Sequence, residues 1–341
     1  MSKLLSVVVP TYNMQAYLDR CLSSFIMDGQ LMSLLEVLVV NDGSKDNSSA
    51  IAHGYEQKYP ETFIVIDKEN GNYGSCVNRG LEQATGKYYR ILDADDWFDT
   101  QSLEQLLGQL ETAEADLLLT KFSVHYTDNV TVSAFPDGIE SGRMYGVADF
   151  DSGIFDAGAL RMHGMTYRTQ LLRDSGLRLQ HGISYTDTEY CYYPCKYLKS
   201  VMFIDLRLYC YDCTRDGQTM NPDVMARSVG NMYKVLKPML QDYVNLPSDS
   251  TNMALVAPTV RNLLYMYYRV TLCLSRQTRE LKMMLRDTDA LLTPELEDFL
   301  SKGRMRRVDY MKVWRRYGMF STSGIFRVYN KVFDCLKARK K

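Results

Sequence analysis

Up to Thr120 the chain alternates short apolar runs with amphipathic stretches. Leu5–Val9 is a β-branched run that reads as a buried strand, and Tyr17, Leu18, Cys21, Leu22 and Phe25 follow at helical spacing. Leu35–Val40 predicts a second strand, ended by Asn41-Asp42-Gly43-Ser44, after which Asp46 is placed to cap a helix running through His53. Phe63–Ile66 predicts a third strand, Tyr73–Ala84 a third helix, Tyr88–Leu92 a fourth strand, Ser102–Leu110 a helix and Asp116–Thr120 a fifth strand. Strands alternating with helices of this length predict an α/β domain whose parallel sheet is covered on both faces. Residues 121–180 have no dominant period. Beyond Pro222, Leu263, Tyr267, Val270 and Leu274 stand at helical spacing, as do Leu281, Met284 and Leu285. This predicts a helical region.

In such sheets ligands bind beyond the carboxyl ends of the strands. Here those ends read Pro10-Thr11-Tyr12-Asn13, Asn41-Asp42-Gly43-Ser44, Asp67 to Asn72, and Asp93-Ala94-Asp95-Asp96. An otherwise apolar sheet thus acquires an acidic rim.

The 341 residues allow about two domains, and 46% hydrophobic with 24% charged residues excludes intrinsic disorder. Charge is unevenly placed: Met1–Asp223 holds 18 basic and 31 acidic residues, Val224–Lys341 holds 22 and 10. The expected division is residues 1–222 and 223–341. Eight cysteines in so long a chain do not suggest a disulfide framework. Cys191, Cys195, Cys210 and Cys213 have spacings a zinc site could use, but small core residues are the simpler reading. Leu4–Pro10 is too short for a signal peptide, and no run approaches a membrane span, so the expected compartment is the cytoplasm.

The strongest local signal is Ile91-Leu92-Asp93-Ala94-Asp95-Asp96-Trp97. Clustered carboxylates repel one another. A hard divalent cation, Mn²⁺ or Mg²⁺, relieves that repulsion and keeps coordination sites open for phosphate. The plainer alternative is a solvated acidic turn with Asp96 as a helix cap.

The order Pro-Thr-Tyr-Asn, Asn-Asp-Gly-Ser, Asn70-Gly71-Asn72-Tyr73-Gly74, Asn78-Arg79-Gly80-Leu81, Ala84-x-Gly86 and Asp-Ala-Asp-Asp resembles the family 2 glycosyltransferases. The likeness is dense from Leu5 to about Asp99 and thinner to about Thr219. It implies a GT-A fold (nucleotide-diphospho-sugar transferase, Rossmann-like), followed here by a helical C-terminal region. It implies transfer of a sugar from a nucleotide donor, UDP-linked by this reading, to an acceptor hydroxyl with inversion. Pro10, Thr11, Tyr12 and Asn13 would line the nucleoside and Asp42 would meet the uracil edge. Asn70 and Gly71 would approach the donor, and Arg79 would reach phosphate, although the family's Arg-Asn order is reversed here. Asp93, Ala94 and Asp95 match the family's Asp-x-Asp, making Asp95 and Asp93 the metal ligands with Asp96 in reserve. Arg215, in Tyr211 to Thr219, is the candidate cation toward the diphosphate.

The family's Glu-Asp acceptor-side acid matches Thr186-Asp187, with Thr standing for Glu. Asp187 is the expected general base and Glu189 its reserve; Thr186 with Glu189 could equally form a capping box. His163 is a further candidate, with a structural role the alternative. The absent Glu leaves open a catalytically silent binding member, and the acidic strand end leaves open a nucleotidyltransferase. The expected acceptor is a glycan or lipid-linked molecule in cell-surface polysaccharide or glycolipid synthesis. Ile325, Phe326, Tyr329, Val332, Phe333 and Leu336 would form one face of a basic helix suited to an anionic membrane surface, or packed on its own domain. No recognition motif points to nucleic acid.

Overall fold

Seven consecutive buried residues in β1 (Leu5–Thr11), and seven more in β2 (Leu35–Asn41), make these central strands with both faces covered. The computed structural model describes residues 2–150, 155, 160–215, 218–247, 251–276 and 278–292. The described residues fall into two compact units. One holds the chain to Arg215 together with Thr251–Val256, the other the remainder.

In the first unit, β1 is followed by α1 (Leu18–Ser23), α2 (Gly29–Ser33), β2, α3 (Ser48–Lys58), β3 (Phe63–Asp67), α4 (Asn72–Gln83) and β4 (Tyr88–Ile91). Next come β5 (Trp97–Phe98), α5 (Thr100–Leu110), β6 (Leu117–His125), β7 (Val130–Val132), β8 (Met144–Gly146) and β9 (Met165–Arg168). The unit continues with α6 (Thr169–Asp174), α7 (Asp187–Tyr192) and β10 (Ser200–Asp212). The sheet order is β3-β2-β1-β4-β9-β6-β10-β5, with β7 on β6 and β8 on β10. The pairs among β3, β2, β1 and β4 are parallel, as is β6 with β10.

The strands expected from the sequence share one direction, but the whole sheet is mixed. β9 is inserted antiparallel between β4 and β6, and β5 pairs antiparallel with β10. Strands of four and two residues are too short to carry a periodic signal, and β9 arises within the stretch that shows none. Helices were easier to foresee. Asp99 caps α5 by accepting from Ser102 N at 2.8 Å, and the helix buries Leu103, Leu106, Leu107 and Leu110. Each buried leucine contributes roughly 1.5–3 kcal/mol. Phe25, just beyond α1, stands edge-on to Phe63 and Phe98 at 6.1 and 5.4 Å.

Cys191, Cys195 and Cys210 are buried and unbridged, as core cysteines should be, and Cys213 is half-buried. Cys195 Sγ lies 3.3 Å from the Tyr167 hydroxyl.

The second unit is helical: α8 (Pro222–Arg227), α9 (Val229–Val244), most of α10 (Met253–Arg269), a π-helical turn at Val270–Leu274, and α11 (Arg279–Ala290). Tyr233 Oη on α9 donates to Asp287 Oδ2 on α11 at 2.9 Å. Among the described residues no helix is long and apolar enough to cross a membrane. The basic helix expected over residues 325–341 lies outside the described residues.

Candidate active site

The loops after β1 and β2 are laced together. Asn13 adopts a left-handed backbone (φ 55°). Its N–H donates to Ser44 Oγ at 3.0 Å and its Oδ1 accepts from Lys45 N at 2.8 Å. Asparagine tolerates this conformation better than most residues. Pro10 and Thr11 are buried within β1, so of that quartet Tyr12 and Asn13 are the exposed ones, Tyr12 at 45%.

Asp42 is only 2% exposed. Its Oδ1 accepts from Lys68 Nζ at 2.5 Å and Gly71 N at 2.9 Å, and its Oδ2 from Asn72 N at 2.9 Å. Asn70 Nδ2 donates to the Asp42 carbonyl. Three of about four carboxylate acceptor positions are thus taken. The sequence expectation placed Asp42 against a base; the structure makes it first the tie between β2 and the start of α4. Arg79 is the residue expected to reach phosphate. It is exposed on α4 and pairs with Glu82 at 3.3 Å. Its neighbour Asn78 is the buried one, bonding Leu179 N through Oδ1 and Leu179 O through Nδ2, both at 2.9 Å.

The acidic cluster follows β4. Asp93 Oδ1 accepts from Tyr73 Oη at 2.9 Å. Asp96 Oδ2 accepts from Tyr209 Oη at 2.5 Å and its Oδ1 from Asp212 N at 2.7 Å. Burial first, and then the neighbouring carboxylates, push both acids well above the usual carboxylate range. His163 stands among aromatic rings, 4.9 Å from Tyr209, 4.8 Å from Tyr211 and 5.3 Å from Phe122. Its Nδ1 is buried without a partner, and burial lowers its pKa to about 3, keeping the imidazole neutral. Ligand atoms of Asp93, Asp96 and His163 lie within 4.8 Å of one another. Crowded carboxylates beside a neutral imidazole with an unspent nitrogen fit a divalent cation, and the nitrogen favours Mn²⁺ over the oxygen-seeking Mg²⁺.

The candidate cation group differs in membership from the pair Asp93 and Asp95 expected from the sequence. Asp93, Asp96 and His163 are the residues brought together in it. Asp95 instead accepts from Arg215 Nε at 2.7 Å through Oδ2, while Ala94 is buried between the two acids.

Arg20 is a site residue the sequence reading missed. Its guanidinium lies 4.1 Å over the Trp97 ring, and Nη2 donates to the Asp95 carbonyl at 2.6 Å and Asp212 Oδ2 at 2.7 Å. It pins the acidic loop to the end of β10. Those partners are distant in sequence, so no local pattern reveals the link.

Asp187 opens α7. Tyr185, two residues before it, holds a left-handed backbone (φ 71°), which is strained for a bulky residue. The anticipated capping box is absent: Thr186 makes no side-chain cap bond and its Oγ1 is buried without a partner. Glu189, the reserve base by the sequence, instead accepts from Gln180 N at 2.8 Å and Gln180 Nε2 at 2.7 Å. Asp187 is half-buried, and burial raises its pKa. Its charge in turn raises Tyr73 and Asp93, so it shares one space with the acidic cluster.

Residues 6–152 match the Glycosyl transferase family 2 model. This segment is thus similar to the family 2 glycosyl transferases. The chain is also similar to an uncharacterized glycosyltransferase of Mycoplasma pneumoniae, 33% identical over 134 residues that cover 39% of each protein. It is also similar to the glycosyltransferase GlyG of Streptococcus pneumoniae, 31% identical over 122 residues, covering 36% of this chain and 40% of that one. The matches thus span well under half the length of these relatives. In three dimensions the chain is similar to residues 1–349 of S. aureus TarS in complex with UDP-GlcNAc (TM-score 0.63, 20% identity, 93% of both chains covered). It is also similar to the mannosyltransferase PcManGT of Pyrobaculum calidifontis in complex with GDP-Man and Mn²⁺ (TM-score 0.51, 12% identity, 95% of this chain and 89% of that one). The fold is accordingly of the GT-A type, an α/β core followed by a helical region.

Proposed function

We propose that the chain transfers a sugar from a UDP-sugar to an acceptor hydroxyl with inversion. The observation that carries this reading is the cluster of Asp93, Asp96 and His163, with Asp187 near enough for its charge to raise Asp93. Tyr12 and Asn13 offer the exposed edge for a nucleoside. A cation held by Asp93, Asp96 and His163 would supply neutralisation of the leaving diphosphate. Asp187 takes the acceptor's proton while the acceptor oxygen bonds to the anomeric carbon and the carbon–diphosphate bond breaks. Its raised pKa suits a general base. Tyr73 holds Asp93 in place, and Arg20 fixes the loop between them and β10.

The acceptor we propose is a glycan or lipid-linked molecule in cell-surface polysaccharide or glycolipid synthesis. From Lys302 onward the sequence has 13 basic and 2 acidic residues, which supports a peripheral hold on an anionic membrane surface from the cytoplasmic side. The deciding experiment incubates the protein with a panel of nucleotide sugars and Mn²⁺ and measures nucleoside diphosphate release. UDP release that is lost in Asp187→Asn supports the proposal. Release of pyrophosphate, or of nothing with any donor, removes it.

A further inference from the structure

We propose that Arg215 stands at Asp95 in the place of a cation, and that the two exchange. Asp95 and Arg215 are joined at 2.7 Å with side chains only 11% and 23% exposed. Asp93 and Asp96 differ from Asp95: their partners are hydroxyl and amide donors, and among the described residues no ion pair engages them. Asp95 is thus the one member of the acidic loop whose charge a basic side chain already neutralises, and this holds it out of the Asp93–Asp96–His163 group.

A divalent cation in that group would repel the guanidinium and offer Asp95 a better partner, since two cations at one carboxylate oxygen are mutually unfavourable. Released, Arg215 presents a planar fork suited to the anionic diphosphate. The loop need not move for this. Arg20 holds the Asp95 carbonyl, and Asp212 accepts from both Thr214 N and Thr214 Oγ1, so the main chain on either side of the pair is anchored independently. This inference rests on the cation-assisted reading of the site.

The test is Mn²⁺ binding to the full chain without nucleotide, followed by electron paramagnetic resonance of free Mn²⁺. Arg215→Met should bind Mn²⁺ about tenfold more tightly, the effect of removing a partly buried competitor. Its affinity for UDP with Mn²⁺ present should fall by a similar factor. In an Asp95→Asn background the same substitution should give no gain. An equal gain in both backgrounds means a general charge effect and overturns the exchange, as does unchanged or weaker Mn²⁺ binding in Arg215→Met. If the native chain binds UDP but no Mn²⁺, the cation reading and the exchange fall together. If Mn²⁺ tightens as expected but no donor is turned over, the transferase reading falls and the exchange stands.

Discussion

Gly74→Ala probes whether the loop leading to Asp187 is held rigidly against α4. A Cβ at Gly74 would sit 2.2 Å from the Gln180 carbonyl oxygen and 3.1 Å from Leu179 Cβ. The loop must then retreat by about 1 Å to reach ordinary van der Waals separation. It is poorly placed to do so. Asn78 bonds Leu179 N and O, Glu189 bonds Gln180 N and Nε2, and Gly182 N donates to Gly71 O at 2.9 Å. Relief breaks one or two of these, at about 1 kcal/mol each, or distorts the helix start. The expected loss is about 1–3 kcal/mol. A shift of that size ahead of Asp187 should also cost about 10²-fold in turnover. Gly54→Ala is the control. It lies in α3 with nothing within 4 Å of its Cβ, and should stabilise by about 0.5–1 kcal/mol. Urea denaturation gives the stabilities, and UDP release from the donor identified by the panel gives the turnover. Gly74→Ala within 0.5 kcal/mol of the parent and within about twofold in rate would refute the rigid-loop reasoning.

Asp187→Asn should lower turnover by ~10²-fold or more with donor affinity nearly unchanged; a survivor with full activity would move the base elsewhere. The native rate should fall as pH drops through the raised Asp187 value, because the base must be ionised, and a pH–rate profile flat through the carboxylate range would contradict this. His53 lies 2.8 Å from both Asp67 Oδ2 and Glu56 Oε2, and those bonds raise its pKa above the unfolded value of about 6.5. Its contribution is therefore full below that unfolded value and lost as pH rises through the folded one. With the imidazole 40% exposed it should stay below ~1 kcal/mol. His53→Gln should lower Tm more at about pH 5.5 than at about pH 8.5, and an equal shift at both would count against the clamp. Finally, the chain should sediment with anionic but not neutral vesicles, weakly at high salt, and deletion of residues 325–341 should abolish this while sparing UDP-sugar binding; retained sedimentation would place the contact elsewhere.

Up to Asp99, β1, β2, β3, α3 and α4 were legible because each runs for five to twelve residues and the strand ends carry polar signals, whereas the short α2 and β5 were not foreseen. The acidic rim was legible for the same reason: Asp93, Asp95 and Asp96 are neighbours in the chain, so their mutual repulsion can be read without coordinates. Partnership was not. Asp95 meets Arg215 across 120 positions, Arg20 meets Asp212 across 192, and Asp93 and Asp96 come within ligand distance of His163, carried from a stretch with no period. Asn78 and Arg79 differ in fate because α4 turns one inward to Leu179 and the other outward to Glu82. Local sequence sets which groups stand at a strand end. Which of them is neutralised by hydrogen bonding, which by an arginine, and which is left for a cation depends on contacts that form only when distant strands close into one sheet.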